Sequence, residues 1–258
     1  MSILKSTPFD IPSDIKKHDE VVPIMNVTSF NSLPIISPFA LEYNFLLGET
    51  EINDVDFDKV KNILLDKEKE ILELPCKYYE DSVTGETKVS DGDTGLGNSV
   101  TSRFRHYNVL RFEDPEFKKI KDNILNCYNK FIEEINLRKL TKGKVERPNE
   151  LYIQCWYNIL RKGQKIKTHV HDCSNSSYLG GHINVTTNNT HTSYIISPDQ
   201  LTHPEIYSNK TKKGKLTLFQ ANIPHFVNAT PDDHERVTIA FDLVLNKRIS
   251  DYYHDRLF

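Results

Sequence analysis

The sequence predicts an α+β fold, with helices concentrated in the first half and an antiparallel jelly roll or barrel in the second. Three observations predict it. Two stretches of the N-terminal half repeat apolar residues at helical spacing. From Leu151 onward the texture changes to short runs of Ile, Tyr, Val, Thr and Phe broken by turn residues. The 258 residues contain no repeat or heptad pattern that would suggest a solenoid or coiled coil. At this length one large domain is expected, with residues 1–149 as an N-terminal arm and helical support region and residues 150–258 as the β-rich core.

Taken in order, residues 1 to 54 hold five prolines, four of them in the loose contexts IPSD, VPI, LPII and SPF, which suits an irregular arm lying on the core and adding an edge strand. Asp56 is a candidate N-cap for a first helix, because Phe57, Val60, Ile63, Leu64 and Ile71 follow at helical spacing before Pro75 ends it. Residues 80–98 (EDSVTGETKVSDGDTGLGN) are dense in Gly, Asp, Ser and Thr and read as a long loop or a loosely tipped hairpin. Beside it, Arg103, Arg105 and His106 are candidates to meet an anionic or polymeric substrate, the alternative being solvated arginines in a loop. A second helix starts at Asp114 with Pro115 in its first position and buries Phe117, Ile120, Ile124, Cys127, Phe131 and Ile135.

Bulk composition narrows the function classes. A net charge of −3 gives no global reason to bind nucleic acid, and no apolar run approaches the length of a membrane helix. The opening MSILKSTPFDIPSD lacks the pattern of a secretion signal, so a cytoplasmic protein with reduced cysteines at 76, 127, 155 and 173 is expected.

Chemistry-bearing residues cluster between 158 and 238. In KTHVHDC, His169 and His171 are two residues apart, so a strand would turn both imidazoles to one side and Val170 and Asp172 to the other. His225 follows far downstream, after the apolar LTLF run and a turn marked by Pro224. Three protein ligands on one face of a metal leave open positions for other groups. Eleven residues after His225, Arg236 opens RVTIAFDLVL, where Arg236, Thr238 and Ala240 share one face and Val237, Ile239, Phe241 and Leu243 the other. An arginine on a small-residue interior face calls for an anion, which its planar fork grips with two parallel hydrogen bonds; the alternative is an ordinary salt-bridged arginine. In the strand YIQCWYNIL, Asn158 or Tyr157 reaches that region depending on which face turns inward, while Trp156 reads as core. His182, Asn184, His191 and Tyr194 are candidates for the mouth of the site.

With His-x-His, a distal His and an Arg plus hydroxyl in order, the sequence resembles the 2-oxoglutarate/Fe(II)-dependent oxygenases, in particular a bacterial and phage group distantly related to prolyl hydroxylases. The resemblance rests on WYNILRKGQKIKTHVHD, SSYLGGHINV and GKLTLFQANIPHFVNATPDDHERVTIAF, and more loosely on TGLGNSVTSRFRHYNVLRFEDPEF. It implies a double-stranded β-helix, the cupin-like jelly roll, with supporting N-terminal helices and a catalytic core over 150–258. It implies Fe(II) held by His169, His171 and His225, and 2-oxoglutarate held by Arg236 with Thr238 and Asn158 in support. O2 and an unidentified prime substrate, a small molecule or a protein side chain, complete the reaction, which ends most commonly in hydroxylation with release of succinate and CO2. Most of the wider superfamily carries His-x-Asp or His-x-Glu at the first pair; here the second position is His171 and the carboxylate, Asp172, comes one residue later. Strand alternation favours His171, and a bulge would present Asp172 instead. Two other classes remain: a cupin-type metal enzyme without 2-oxoglutarate, which does not need Arg236 at the metal, and a non-catalytic jelly-roll binding module.

Overall fold

The structure, a computed structural model, describes residues 24–32, 34, 36–40, 42–174, 176–197, 204–245 and 254–258. Strands β1 (Asn26–Asn31) and β2 (Asn44–Glu51) lead into helices α1 (Phe57–Asp66) and α2 (Glu68–Leu72), the small hairpin β3 (Tyr78–Glu80) and β4 (Thr87–Val89), and the long helix α3 (Pro115–Leu137). The remainder is strand: β5 (Tyr152–Leu160), β6 (Ile166–His169), β7 (Leu179–Asn184), β8 (His191–Ile195), β9 (Ile206–Lys210), β10 (Lys215–Gln220), β11 (His225–Val227), β12 (Arg236–Val244) and β13 (Asp255–Arg256).

Asp56 and Asp114 cap their helices as the sequence indicates, accepting hydrogen bonds from Lys59 N at 3.0 Å and Glu116 N at 3.1 Å. The first helix departs from the expected single span: it is interrupted at Lys67, whose N–H still reaches Ile63 O, before α2 brings Ile71 into the core. The apolar stripe of α3 packs over the sheet, where a Cβ on Gly48 of β2 would stand 2.6 Å from the Phe131 ring; only glycine admits that approach. Of the arm at 1–54, residues 1–23 lie outside the described residues, and the rest supplies β1 and β2, of which β1 is an edge strand and β2 an interior one. The loop expected at 80–98 is a hairpin, β3–β4, followed by a turn-rich stretch in which Gly92, Gly95 and Gly97 take φ of 69°, 75° and 60°.

The strands form two principal antiparallel sheets, ordered β1-β2-β10-β7-β12-β5-β13 and β6-β11-β8-β9. From β5 to β12 the chain passes back and forth between them, entering the larger sheet at β5, β7, β10 and β12 and the smaller at β6, β8–β9 and β11. That alternation is the winding of a jelly roll, and the fold is an α+β double-stranded β-helix with its helices on the outer face of the larger sheet. Val237, Ile239, Phe241 and Leu243 turn from β12 into the core shared with α1 and α3, which leaves the opposite face of β12 to look across at the smaller sheet.

Candidate metal centre

Between the sheets lies a cavity lined by residues of both. From the smaller sheet come His169 at the end of β6 and His225 at the start of β11, directly opposite one another in the antiparallel register. Their ring centroids are 4.3 Å apart. The strand expected to carry both His169 and His171 stops at His169; the N–H groups of His171 and Asp172 both turn to Ala221 O, at 2.9 and 3.2 Å, and this bend still brings the His171 ring to within 5.0 Å of His225. One ring nitrogen from each of the three histidines lies within 4.8 Å of the others. The three expected metal residues are therefore brought together.

What stands behind each ring fixes which nitrogen faces inward. His169 Nδ1 sits 2.9 Å from Lys167 O and His225 Nδ1 3.0 Å from Ile223 O, so both Nδ1 atoms hold the proton and each Nε2 keeps its lone pair. His171 Nδ1 faces Asp242 Oδ1 in a short contact, the carboxylate-imidazole arrangement that orients metal-binding histidines. A Cβ at Gly180 would stand 2.8 Å from His171 Nδ1, so glycine there leaves room for the ring. Burial, then the neighbouring His171, lowers the His169 pKa to about 4. Burial, with His169 and His171 beside it, holds His225 well below the usual histidine range. Imidazoles whose Nδ1 atoms face acceptors, leaving Nε2 to point inward, are the donor set a borderline divalent cation takes. Asp172 is elsewhere: its carboxylate accepts from Ser174 N and Ser174 Oγ, each at 2.9 Å, and it is outside the cluster.

Along β12, Arg236, Thr238, Ala240 and Asp242 all face the cavity. Arg236 is only 1% exposed, and its hydrogen bonds go to hydroxyls: Nη2 to Thr192 Oγ1 at 3.0 Å and Nε to Thr211 Oγ1 at 3.4 Å. No carboxylate pairs with it among the described residues. Burial lowers its pKa to about 10, which leaves it cationic at neutral pH. Asn158 of β5 stands opposite Thr238 in the register and reaches its Oγ1 at 3.5 Å, while Thr101 donates to Asn158 Oδ1 at 2.7 Å. Tyr157 turns to the other face, against Tyr107.

Trp156 is buried in the hydrophobic core as expected and also forms part of the cavity wall, 5.7 Å from His171 by ring centroids. His182 also lines the cavity, whereas His191 is exposed. Arg103, a candidate to meet a substrate, is buried and donates to Leu72 O, Leu74 O and Ser99 O, clamping the end of α2 to the following loop. Two contributors were missed in the sequence. Asp242 was legible, since extending the alternation of Arg236, Thr238 and Ala240 by one step puts it on the same face. Thr192, which meets Arg236 across the sheets, had no local signal. Asp91, Gly92 and Thr94 close one side of the cavity, tied to β6 by Lys167 N to Thr94 O at 2.8 Å.

A family model described as "Putative 2OG-Fe(II) oxygenase" matches residues 154–242, under half of the chain but including the three histidines, Asn158, Arg236 and Asp242. None of the curated proteins matches the sequence. Among solved structures, the chain is similar to a prolyl-4-hydroxylase from Pseudomonas putida, at 12% identity and TM-score 0.34, spanning 49% of this chain and 65% of that one. It is similar to the non-haem alpha-ketoglutarate-dependent epimerase SnoN from nogalamycin biosynthesis, at 8% identity and TM-score 0.46, spanning 78% and 77%. It is also similar to a prolyl hydroxylase from Trichoplax adhaerens solved with a hypoxia inducible factor peptide fragment, at 12% identity and TM-score 0.45, spanning 75% and 81%. At such identities no residue role is carried over from these structures. The family match and the donor set agree: the stretch 154–242 is similar to 2OG-Fe(II) oxygenases, and it contains three imidazoles placed to hold a metal ion. Among the described residues, no helix is long and apolar enough to cross a membrane.

Proposed function

We propose that this protein is an Fe(II)- and 2-oxoglutarate-dependent dioxygenase that hydroxylates a C–H bond of a small molecule or a protein side chain. His169, His171 and His225 are the metal ligands, and Arg236, supported by Thr238 and Asn158, holds the distal carboxylate of 2-oxoglutarate. The reading is carried by one observation: a buried guanidinium with only hydroxyl partners among the described residues shares a cavity with three convergent imidazoles. A buried cation without an acid costs several kcal/mol, so an anionic ligand is the expected complement.

When bound, Fe(II) and 2-oxoglutarate supply the oxidising chemistry, in which substrate C–H, O2 and 2-oxoglutarate give substrate C–OH, succinate and CO2. The chain supplies placement. Lys167 O and Ile223 O fix the tautomers of His169 and His225, and Asp242 orients His171. Phe219, whose ring lies 4.8 Å from His225 and 5.4 Å from His171, keeps water from one side of the cluster. Residues 150–258 form the catalytic core and residues 1–149 its support within one domain. A cytoplasmic location suits the four free cysteines.

A cupin-type metal enzyme without 2-oxoglutarate is the competing reading, and Arg236 separates the two. The Fe(II)-loaded protein, incubated with 2-oxoglutarate in air, is expected to release succinate, and Arg236→Ala to lose about 100-fold or more of that rate at fixed co-substrate. No 2-oxoglutarate binding by the parent protein, or turnover indifferent to Arg236, would sink the assignment.

A further inference from the structure

His182 holds a buried ring nitrogen, Nδ1, that no group among the described residues engages. It is 8% exposed and lines the cavity, and its Nδ1 has no partner among the described residues. Its other nitrogen, Nε2, lies 2.7 Å from the Tyr194 hydroxyl. A chain of contacts behind Tyr194 favours one arrangement of protons. Lys215 Nζ is a donor only, and it donates to Asn209 Oδ1. Asn209 Nδ2 thus faces Thr217 Oγ1 as donor, at 3.5 Å. Thr217 also engages the Tyr194 hydroxyl, and when Thr217 donates to it, Tyr194 has its own proton to give to His182 Nε2. With Nε2 accepting, the proton of the neutral ring resides on Nδ1. Burial, with Arg236 nearby, lowers the His182 pKa to about 3, so the ring stays neutral. An unsatisfied buried N–H of this kind costs about 1–3 kcal/mol, a cost that a ligand acceptor removes.

Register tells which part of a ligand meets it. His182 stands opposite Ala240 in β12, and Tyr194, to which it is tied, stands opposite His225 in β11. Arg236 lies four residues from Ala240, about 13 Å along the strand backbone, and its guanidinium bonds to Thr192, two residues from Tyr194. His182 is therefore level with the metal cluster, not with the distal grip.

We propose that His182 is a specificity-determining residue for the co-substrate, donating from Nδ1–H to an oxygen of the keto-acid end of 2-oxoglutarate while Arg236 holds the opposite carboxylate. The proposal rests on the 2-oxoglutarate reading above. The relay from Lys215 through Asn209, Thr217 and Tyr194 has the role of holding the ring in its donating tautomer.

The test uses the full chain loaded with Zn(II), which is redox-inert, and reads 2-oxoglutarate binding by the fluorescence of Trp156, the sole tryptophan and part of the cavity wall. His182→Leu is expected to weaken binding by at least about tenfold, with Zn(II) affinity unchanged. His182→Asn, whose amide nitrogen reaches the same position as Nδ1, is expected to retain binding within about threefold of the parent. Tyr194→Phe releases the tautomer and is expected to weaken binding alone but to add nothing to His182→Leu. Parent-like binding by His182→Leu, or binding by His182→Asn as weak as by His182→Leu, overturns the donor role. Failure of the parent itself to bind 2-oxoglutarate overturns both this role and the function it rests on.

Discussion

At one end of the cavity, each imidazole has its Nδ1 turned to an acceptor behind it, Lys167 O, Ile223 O or Asp242, so that what faces inward is lone pairs. At the other end, Arg236 has only the hydroxyls of Thr192 and Thr211 and faces inward with positive charge. The first end is complete without a ligand except for a cation; the second is incomplete without an anion. Neighbouring sites of opposite demand suit a metal and an anionic chelator that bridges to it, and neither end alone distinguishes this from a simple metal enzyme.

The largest effect is expected from removing one ring of the cation end. His225→Ala should cost more than about 100-fold in Co(II) affinity, beyond the range that changes outside the ligand set reach. Titration of the metal-free protein measures it, and near-parental affinity would break the three-histidine assignment.

Acid separates the two ends. His169 and His182 have folded-state pKa values of about 4 and about 3, below the ordinary 6.5. Between these values and 6.5 the unfolded chain takes up protons that the folded protein refuses, so stability is constant above pH 6.5 and falls as pH drops toward 4. His182 alone accounts for roughly 2 kcal/mol at pH 5. The melting temperature of the metal-free protein should drop by several degrees between pH 7.5 and pH 5, and less in His182→Leu. Arg236, with a pKa of about 10, stays protonated throughout and contributes nothing to that slope. A melting temperature independent of pH across this interval would show that the histidines are not held neutral.

Much of this arrangement was visible beforehand, for reasons that differ between elements. Helix α3 was legible because Asp114, Pro115 and a 3.6-residue stripe all specify the same segment. The cavity face of β12 was legible because alternation in RVTIAFDLVL sorts the side chains by size and charge. Strand β2 was not, because its place between β1 and β10 depends on pairing across more than 160 residues, which leaves no periodic mark. The environment of Arg236 was hidden for the same reason: Thr192 reaches it only because the two sheets face each other.

Asp242 sharpens the account of the cation end. As an orienting carboxylate behind His171, it should matter less than a ligand, and Asp242→Asn is expected to lower Co(II) affinity by about tenfold. A loss as large as that of His225→Ala would make Asp242 itself a ligand, and the site a two-histidine, one-carboxylate centre.

The smallest expected change decides what the sequence left open between His171 and Asp172. The two are adjacent, and their N–H groups share one acceptor, Ala221 O, so a small rotation of the backbone would exchange them. What holds the present arrangement lies on both sides. Asp242 receives the His171 ring, and Ser174 engages both oxygens of Asp172 through its N–H and its hydroxyl. Asp172→Asn keeps the turn with Ser174, because the amide oxygen still accepts from Ser174 N, while removing the charge. Co(II) affinity should therefore stay within about twofold of the parent, whereas His171→Ala should approach the loss seen at His225. If Asp172→Asn instead weakens the metal tenfold or more, the chain exchanges the two side chains when metal binds, and the carboxylate completes the triad.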